Sequence, residues 1–222
     1  IVNHDFSSPD LDAMVLDALH TGMSVYHLDQ EQLAELNPDL ILTQELCEVC
    51  APSFDDVRVA AGILQGEPQI ISLEPRNIEE ILESIELVGE ATGTEARATE
   101  ILEDAGRRID YVRERASEVE QWPRVLCLEW LEPLFIGGLW VPELVEWAGG
   151  EDLGLTGEPS REIAWEDVLN FDPEYIVVMP CGFDLERTIV EAGVLAGRPG
   201  WSQLAAVRDG RVQMSATVHT YL

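Results

Sequence analysis

Two segments far apart in this chain have the same construction. "LAELNPDLILTQELC" (33–47) and "VLNFDPEYIVVMPCG" (168–182) each run from a helical stretch through an Asn/Asp-Pro-acid turn into a short apolar run, then a polar loop holding a cysteine. A proline behind Asn37 or Asp172 cannot continue a helix, and an apolar run of this length closed by a polar loop reads as a buried strand. A chain that builds the same helix–strand unit twice is constrained to an α/β architecture with two similar halves, facing each other across a cleft.

The intervening pattern agrees. Ser8-Pro9 opens a helix in which Leu11, Met14, Val15, Ala18 and Leu19 recur at helical spacing up to Gly22. "SVYHL" (24–28) reads as a strand, and Asp29 with Gln32 resembles a capping box opening the helix "QEQLAEL". After Pro52 a helix, "FDDVRVAAGIL", leads to the strand "QIISL" (69–73), an alternation that predicts parallel βαβ units. From Asn77 the strands stop. Helical stripes run through Ile78, Ile81, Leu82, Ile85 and Val88, are interrupted at Gly93, and resume from Ala98 to Val112. A helix over residues 94–120 would be about 40 Å long, enough to act as a stiff connector. Strand "RVLCLEW" (124–130), a helix from Pro142 to Ala148, a helix "WEDVLN" and strand "EYIVV" follow. The expected fold is therefore α/β: two Rossmann-like lobes, residues 1–76 and 123–222, joined by a helical backbone over 77–122.

Charge removes several function classes. Asp and Glu number 43 against 13 cations, for a formal net charge of −30, and every cation is arginine. Without lysine there is no P-loop lysine and no Schiff base. So acidic a surface also opposes binding to nucleic acid. Acidity with arginine in place of lysine suits a protein from salt-saturated cells, where ionic strength screens self-repulsion. No run approaches a membrane span and no leader is visible, so the chain as given reads as soluble.

Ligands of open α/β sheets bind beyond the carboxyl ends of the strands. At that edge the sequence places "QELCEVC" in the first half, and "MPCGFD" with "LEWLEPLFIGGLW" in the second. Trp130, Phe135 and Trp140, in a loop with Pro133 and Gly137-Gly138, form with Phe183 an aromatic wall suited to a broad, partly apolar ligand. Cys47 and Cys50 have the spacing of a redox pair or half a zinc site. No second half is present, since Cys127 and Cys181 are single and the four histidines form no ligand-spaced pair. No metal centre and no catalytic residue is expected, and Cys127, within a strand, is expected to be buried and inert. No G-x-S-x-G occurs either, so the residues describe a pocket without catalytic machinery.

The segments "NPDLILTQELCEVC", "RVLCLEWLEPLFIGGLWVPELVEWAGG", "WEDVLNFDPEYIVVMPCGFDLERT" and "RPGWSQLAAVRDGRV" together resemble the cobalamin-binding branch of the helical-backbone substrate-binding proteins of ABC importers. The resemblance implies a monomeric extracytoplasmic receptor, periplasmic or at the cell surface and tethered to the membrane, that takes a corrinoid into the interlobe cleft and passes it to a permease. Cobalamin is then a transported ligand and no cofactor is implied. By the same resemblance, Gln44, Glu45, Leu46 and Cys47 line the pocket from the first lobe. Phe135, with Trp130 just upstream, Ser160, Arg161, Cys181, Gly182 and Phe183 line it from the second. Glu166 and Glu48 fall where acidic lobe tips dock onto permease arginines. Family members carry further elements before residue 1 and beyond residue 222. Haem and ferric siderophores use the same architecture, and a thiol oxidoreductase built on Cys47 and Cys50 is the alternative from another class.

Overall fold

The structure, a computed structural model, describes residues 8–21, 28–46, 54–62, 64 and 66–216. It separates into two compact units: one is Asp10–Pro75 with Glu79–Glu100, the other Ile1–Pro9, Arg76–Ile78 and Ile101–Leu222. The expected strand at 24–28 falls almost wholly outside the described residues.

In the N-terminal unit, helix α1 (Ser8–Thr21) is followed by α2 (Gln30–Leu36), whose N-cap Asp29 accepts the amide of Gln32 at 2.9 Å. β1 (Leu40–Thr43) and β2 (Gln69–Ser72) pair in parallel, Leu40 opposite Gln69 through Thr43 opposite Ser72. Parallel neighbours need a crossover, and α3 (Phe54–Ala61) lies within it, burying Val57, Ala60 and Ala61. α4 (Ile78–Thr92) ends at Gly93, whose φ of 66° is open to glycine at little cost. α5 (Glu95–Ala116) then starts so close to α4 that a Cβ on Gly89 would lie 2.6 Å from that of Ala98. α5 spans about 33 Å by helical rise, and it stops four residues short of the expected end. Beyond it the amides of Ser117, Glu118 and Val119 wind into a tightening turn on Arg113, Arg115 and Ala116.

The C-terminal unit is built on β3 (Arg124–Leu131), whose leucines Leu126, Leu128 and Leu131 are all buried. Around it come β4 (Leu134–Ile136), α6 (Val141–Trp147), β5 (Glu151–Asp152), β6 (Arg161–Glu162), α7 (Trp165–Phe171) and β7 (Tyr175–Val178). α8 (Leu185–Glu191), two 3-10 turns, α9 (Ala205–Arg208) and β8 (Val212–Met214) complete it. The sheet order is β6-β4-β3-β7-β8, with β5 alongside β3. β3, β5, β7 and β8 are parallel, whereas β4 runs antiparallel to both of its neighbours, β3 and β6, so the sheet is mixed where the sequence pattern predicts parallel units alone. Its core joins the three leucines to Leu134, Ile136, Ile176 and Val178, covered by Val168 of α7, Leu195 and Ala206. The α/β class stands.

The repeated turn has one physical basis in both units. Asn37 and Asp172 cap α2 and α7 in left-handed geometry, with φ of 39° and 45°. The amide of each reaches the carbonyl four residues back, at 3.0 Å, and proline then forbids another turn. Asn and Asp are the non-glycine residues that tolerate this conformation best. In the C-terminal unit Asp172 is held further: its carbonyl accepts from Arg124 Nη2 at 2.8 Å, and its carboxylate caps α9 through the Ala205 amide.

Candidate ligand-binding site

β3 and β7 are parallel, so both deliver their following loops to the same edge of the sheet. The chain leaving β7 stays attached to β3: the Met179 amide donates to Leu128 O at 2.8 Å and the Cys181 amide to Glu129 O at 3.1 Å. Gly182, at φ 77°, then turns the chain so that the Phe183 amide meets Pro180 O, and Asp184 caps α8 by accepting the Arg187 amide at 2.8 Å. Cys181 is exposed at this turn.

β3 returns through the cis peptide Glu132-Pro133 into β4, so "EPLFI" is a hairpin and not the open loop expected from its composition. The register pairs Leu128 with Ile136 but Trp130 with Phe135, leaving Glu129 as the extra residue of a bulge. Cross-strand partners share a face, so Trp130 and Phe135 are neighbours, both half-buried. The Trp130 indole N–H donates to Glu132 O at 3.2 Å, and its ring leans on Phe183, centres 5.3 Å apart and planes tilted by 58°. Phe183 corrects the aromatic wall, because the ring is completely buried, with the Arg187 guanidinium 3.8 Å from its centre. It supports Trp130 from beneath and offers no open face of its own. Trp140 stands at the N-cap of α6, half-buried.

Beside the hairpin, β6 pairs Arg161 with Ile136 and Glu162 with Phe135. Ser160, one residue earlier, donates its hydroxyl proton to Glu129 Oε2 in a short hydrogen bond. The segment before it is clamped by two main-chain bonds, Leu139 N to Glu158 O at 2.7 Å and Gly157 N to Leu139 O at 2.9 Å. Gly138 is packed so tightly on the Glu158–Ser160 main chain that a Cβ there has no room. A cavity of about 380 Å³ opens at this point, lined by Gly137, Gly154, Leu155, Glu158, Pro159, Ser160 and Arg161. Arg161 is exposed, and its Nη2 reaches Leu153 O at 3.2 Å.

Behind the cavity wall lies a buried polar pair. Cys127 is 5% exposed and its thiol is pushed up to about 12, chiefly by burial and then by the charge of Asp152 and Glu129. Burial likewise pushes the Asp152 carboxyl up, against the lowering effect of the Gly154 amide, which donates to Oδ1 at 2.6 Å. A thiol so placed is neutral at physiological pH and unfit as a nucleophile, in keeping with the inert role expected for it. Among the described residues no group of His, Cys, Asp and Glu is placed to hold a metal ion.

The N-terminal unit supplies Gln44, Glu45 and Leu46 directly after β1, with the Gln44 side chain folded back to accept the Leu46 amide at 3.0 Å and Glu45 exposed. Cys47, Glu48 and Cys50 lie outside the described residues. Glu166 sits exposed in the first turn of α7. Of the expected site residues, the structure thus brings Trp130, Phe135, Cys181, Gly182 and Phe183 to one edge of one sheet, with Ser160 tied to the same edge through Glu129. Glu129 itself escaped sequence reasoning. One acid among 43 carries no signal, although Glu129 is the one acid within β3.

A model of the family described as "Periplasmic binding protein" matches residues 9–214, nearly the whole chain. The chain belongs to the periplasmic binding protein family. No curated protein matches it in sequence. Solved structures share the fold: an ABC transporter substrate-binding protein from Listeria monocytogenes is 20% identical with a TM-score of 0.69, over 84% of this chain and 70% of that one. IsdE of S. aureus, solved in complex with haem, is 18% identical with a TM-score of 0.68, over 88% and 74%. The vitamin B12 binding protein BtuF of Vibrio cholerae is also 18% identical, with a TM-score of 0.60 over 92% and 76%. As a periplasmic binding protein, the chain falls in a class that captures solutes for transport and is named for a location outside the cytoplasm. Among the described residues no helix is long and apolar enough to cross a membrane.

Proposed function

We propose that this periplasmic binding protein is the receptor of an ABC importer that captures cobalamin or a related corrinoid and delivers it to a membrane permease. The observation that carries the ligand class is the Trp130–Phe135 pair: two half-buried rings on one face, held at the carboxyl edge of the sheet, with Phe183 packed beneath the indole. Large rings on a rigid support bind a broad, partly apolar macrocycle by area and stacking, with little loss of side-chain entropy. Gln44, Glu45, Leu46 and Cys47, with Ser160, Arg161, Cys181 and Gly182, are the further contacts of this reading. Exposed Glu166, with Glu48, is its permease contact. The protein works outside the cytoplasm, at the membrane surface, as a monomer.

The test is calorimetry with tryptophan quenching, using hydroxocobalamin, haemin and a ferric siderophore in parallel. Saturable one-to-one binding of hydroxocobalamin at micromolar ligand, lost in Trp130→Ala, supports the proposal. Binding of haemin or the siderophore alone assigns the protein to that cargo. No binding, with dithiol-dependent turnover that disappears in Cys47→Ser, makes it an oxidoreductase.

A further inference from the structure

The cavity beside β6 has a donor and acceptor pattern that fits one functional group. A serine hydroxyl has a single proton, and that of Ser160 is committed to Glu129 Oε2. What Ser160 presents elsewhere is therefore lone pairs only. Glu158 is an acid among the lining residues, and Glu129 holds its carboxylate against the Ser160 hydroxyl. Against these acceptors stands Arg161, whose guanidinium can only donate. Gly137 and Gly154, with Leu155 and Pro159, make the remaining lining small and apolar. Gly137 cannot be larger, since a Cβ there would lie 2.7 Å from Val141 and 3.3 Å from Glu129 Oε1.

We propose that this cavity is a carboxamide subsite, in which Arg161 donates to the amide oxygen of a ligand arm and Ser160, fixed as an acceptor by Glu129, receives its N–H. A carboxylate arm satisfies Arg161 but sets a lone pair against Ser160 and a negative charge against Glu129 and Glu158. An amide satisfies both sides at no cost in charge. Glu129 is thus a positioning residue that sets the polarity of Ser160 without being required to touch the ligand. The inference rests on the corrinoid reading above, and it adds selection for macrocycles with neutral amide arms over those with acid arms.

The experiment compares the affinity of the purified protein for two dicyano-corrinoids that share one macrocycle, one with its arms as primary amides and one with them hydrolysed to carboxylates. The amide form is expected to bind about tenfold more tightly or better. In Glu129→Gln the neutral side chain can donate to Ser160 and release its proton toward the cavity, so this ratio should shrink about tenfold. Ser160→Ala should weaken the amide form by about fivefold and leave the carboxylate form no weaker. The ratio of two affinities in one protein is the readout, because general loss of structure lowers both. If Glu129→Gln does not fold, Ser160→Ala decides alone. Equal affinities in the unaltered protein, or a ratio unmoved in every variant that folds, overturns the subsite and leaves the corrinoid reading intact. Failure of both corrinoids to bind overturns that reading and the subsite with it.

Discussion

The indole of Trp130 rests on the ring of Phe183, 5.3 Å between centres, and Phe183 is in turn covered by the Arg187 guanidinium at 3.8 Å. An arginine, a phenyl and an indole thus form one stack at the sheet edge, with the middle member fully buried. Replacing that member removes packing on both sides, so Phe183→Ala should cost about 3–5 kcal/mol in a urea titration. Phe183→Leu keeps most of the volume and should cost about 1–2 kcal/mol while shifting Trp130 emission to the red. A Phe183→Ala protein as stable as the original would show that the ring is not a support.

The two described thiols differ sharply in surroundings, Cys127 buried against Asp152 and Cys181 exposed at its turn. Iodoacetamide followed by peptide mapping should find Cys181 alkylated in the folded protein and Cys127 alkylated only in denaturant. The pH dependence has a definite sign. The Cys127 thiol is raised in the fold from 9.0 to about 12, so its contribution to stability is complete below pH 9 and is lost as pH climbs toward 12. Cys127→Ala should flatten the alkaline limb of the stability curve, and an unchanged limb would refute the assignment.

Asp152 gives a second titration of the same sign at the acid end. Its carboxyl is raised by burial, so the fold favours the protonated form, and that contribution is present in acid and fades as pH rises through the raised value. Asp152→Asn keeps an oxygen for the Gly154 amide and removes the buried charge. The variant should therefore gain on the original protein as pH rises from 3.5 to 7, read as the difference between their urea midpoints. A difference that stays flat or falls over that range would count against burial as the cause.

Much of the frame was legible because it rests on local rules. Asn37-Pro38 and Asp172-Pro173 announce left-handed caps and the strands behind them, and the β1/β2 and β3/β7 pairs followed. Residues 134–136 were not legible as a strand, since three residues after a proline show no period; their pairing with β3 is decided by the partner and not by their own pattern. Phe183 illustrates the same limit at the site. Sequence distinguishes an aromatic residue from others, but whether its ring faces ligand or core depends on Arg187 and Trp130 arriving on either side. Glu129 gains its meaning only from a bulge and from a serine 31 residues away.

Gly138 fixes the distance between the hairpin and the Ser160 segment. An added methyl has nowhere to go, because the obstacles are the main chain of Pro159 and Ser160 and the carbonyl of Glu158, none of which can rotate aside. Gly138→Ala should cost about 1–3 kcal/mol and displace Ser160 and Arg161 together. Ligand affinity should fall in this variant more than in Gly157→Ala, where a Cβ meets open space, even though Gly157 is the more strained position at φ 82°. If the two variants bind alike, the close approach at Gly138 does not position the site.

The surface charge predicts a response to salt opposite to that of a protein held by ion pairs. Acids outnumber cations 43 to 13, so each arginine already has more carboxylates than it can pair with, and the remainder repel one another. Several described ion pairs, such as Arg97–Glu100 and Arg107–Asp104, are exposed and contribute little that salt could remove. Self-repulsion favours expansion, and screening it should raise stability as the Debye length falls from about 10 Å at 0.1 M to about 3 Å at 1 M. Thermal unfolding in potassium chloride should show Tm rising by about 5–10 °C over that range, which for a chain of this size corresponds to about 2–3 kcal/mol. Sucrose acts by exclusion and not by screening, so it should not reproduce the steep initial part of the curve. A Tm that is flat or falling in potassium chloride would mean that repulsion among the acids does not limit this fold.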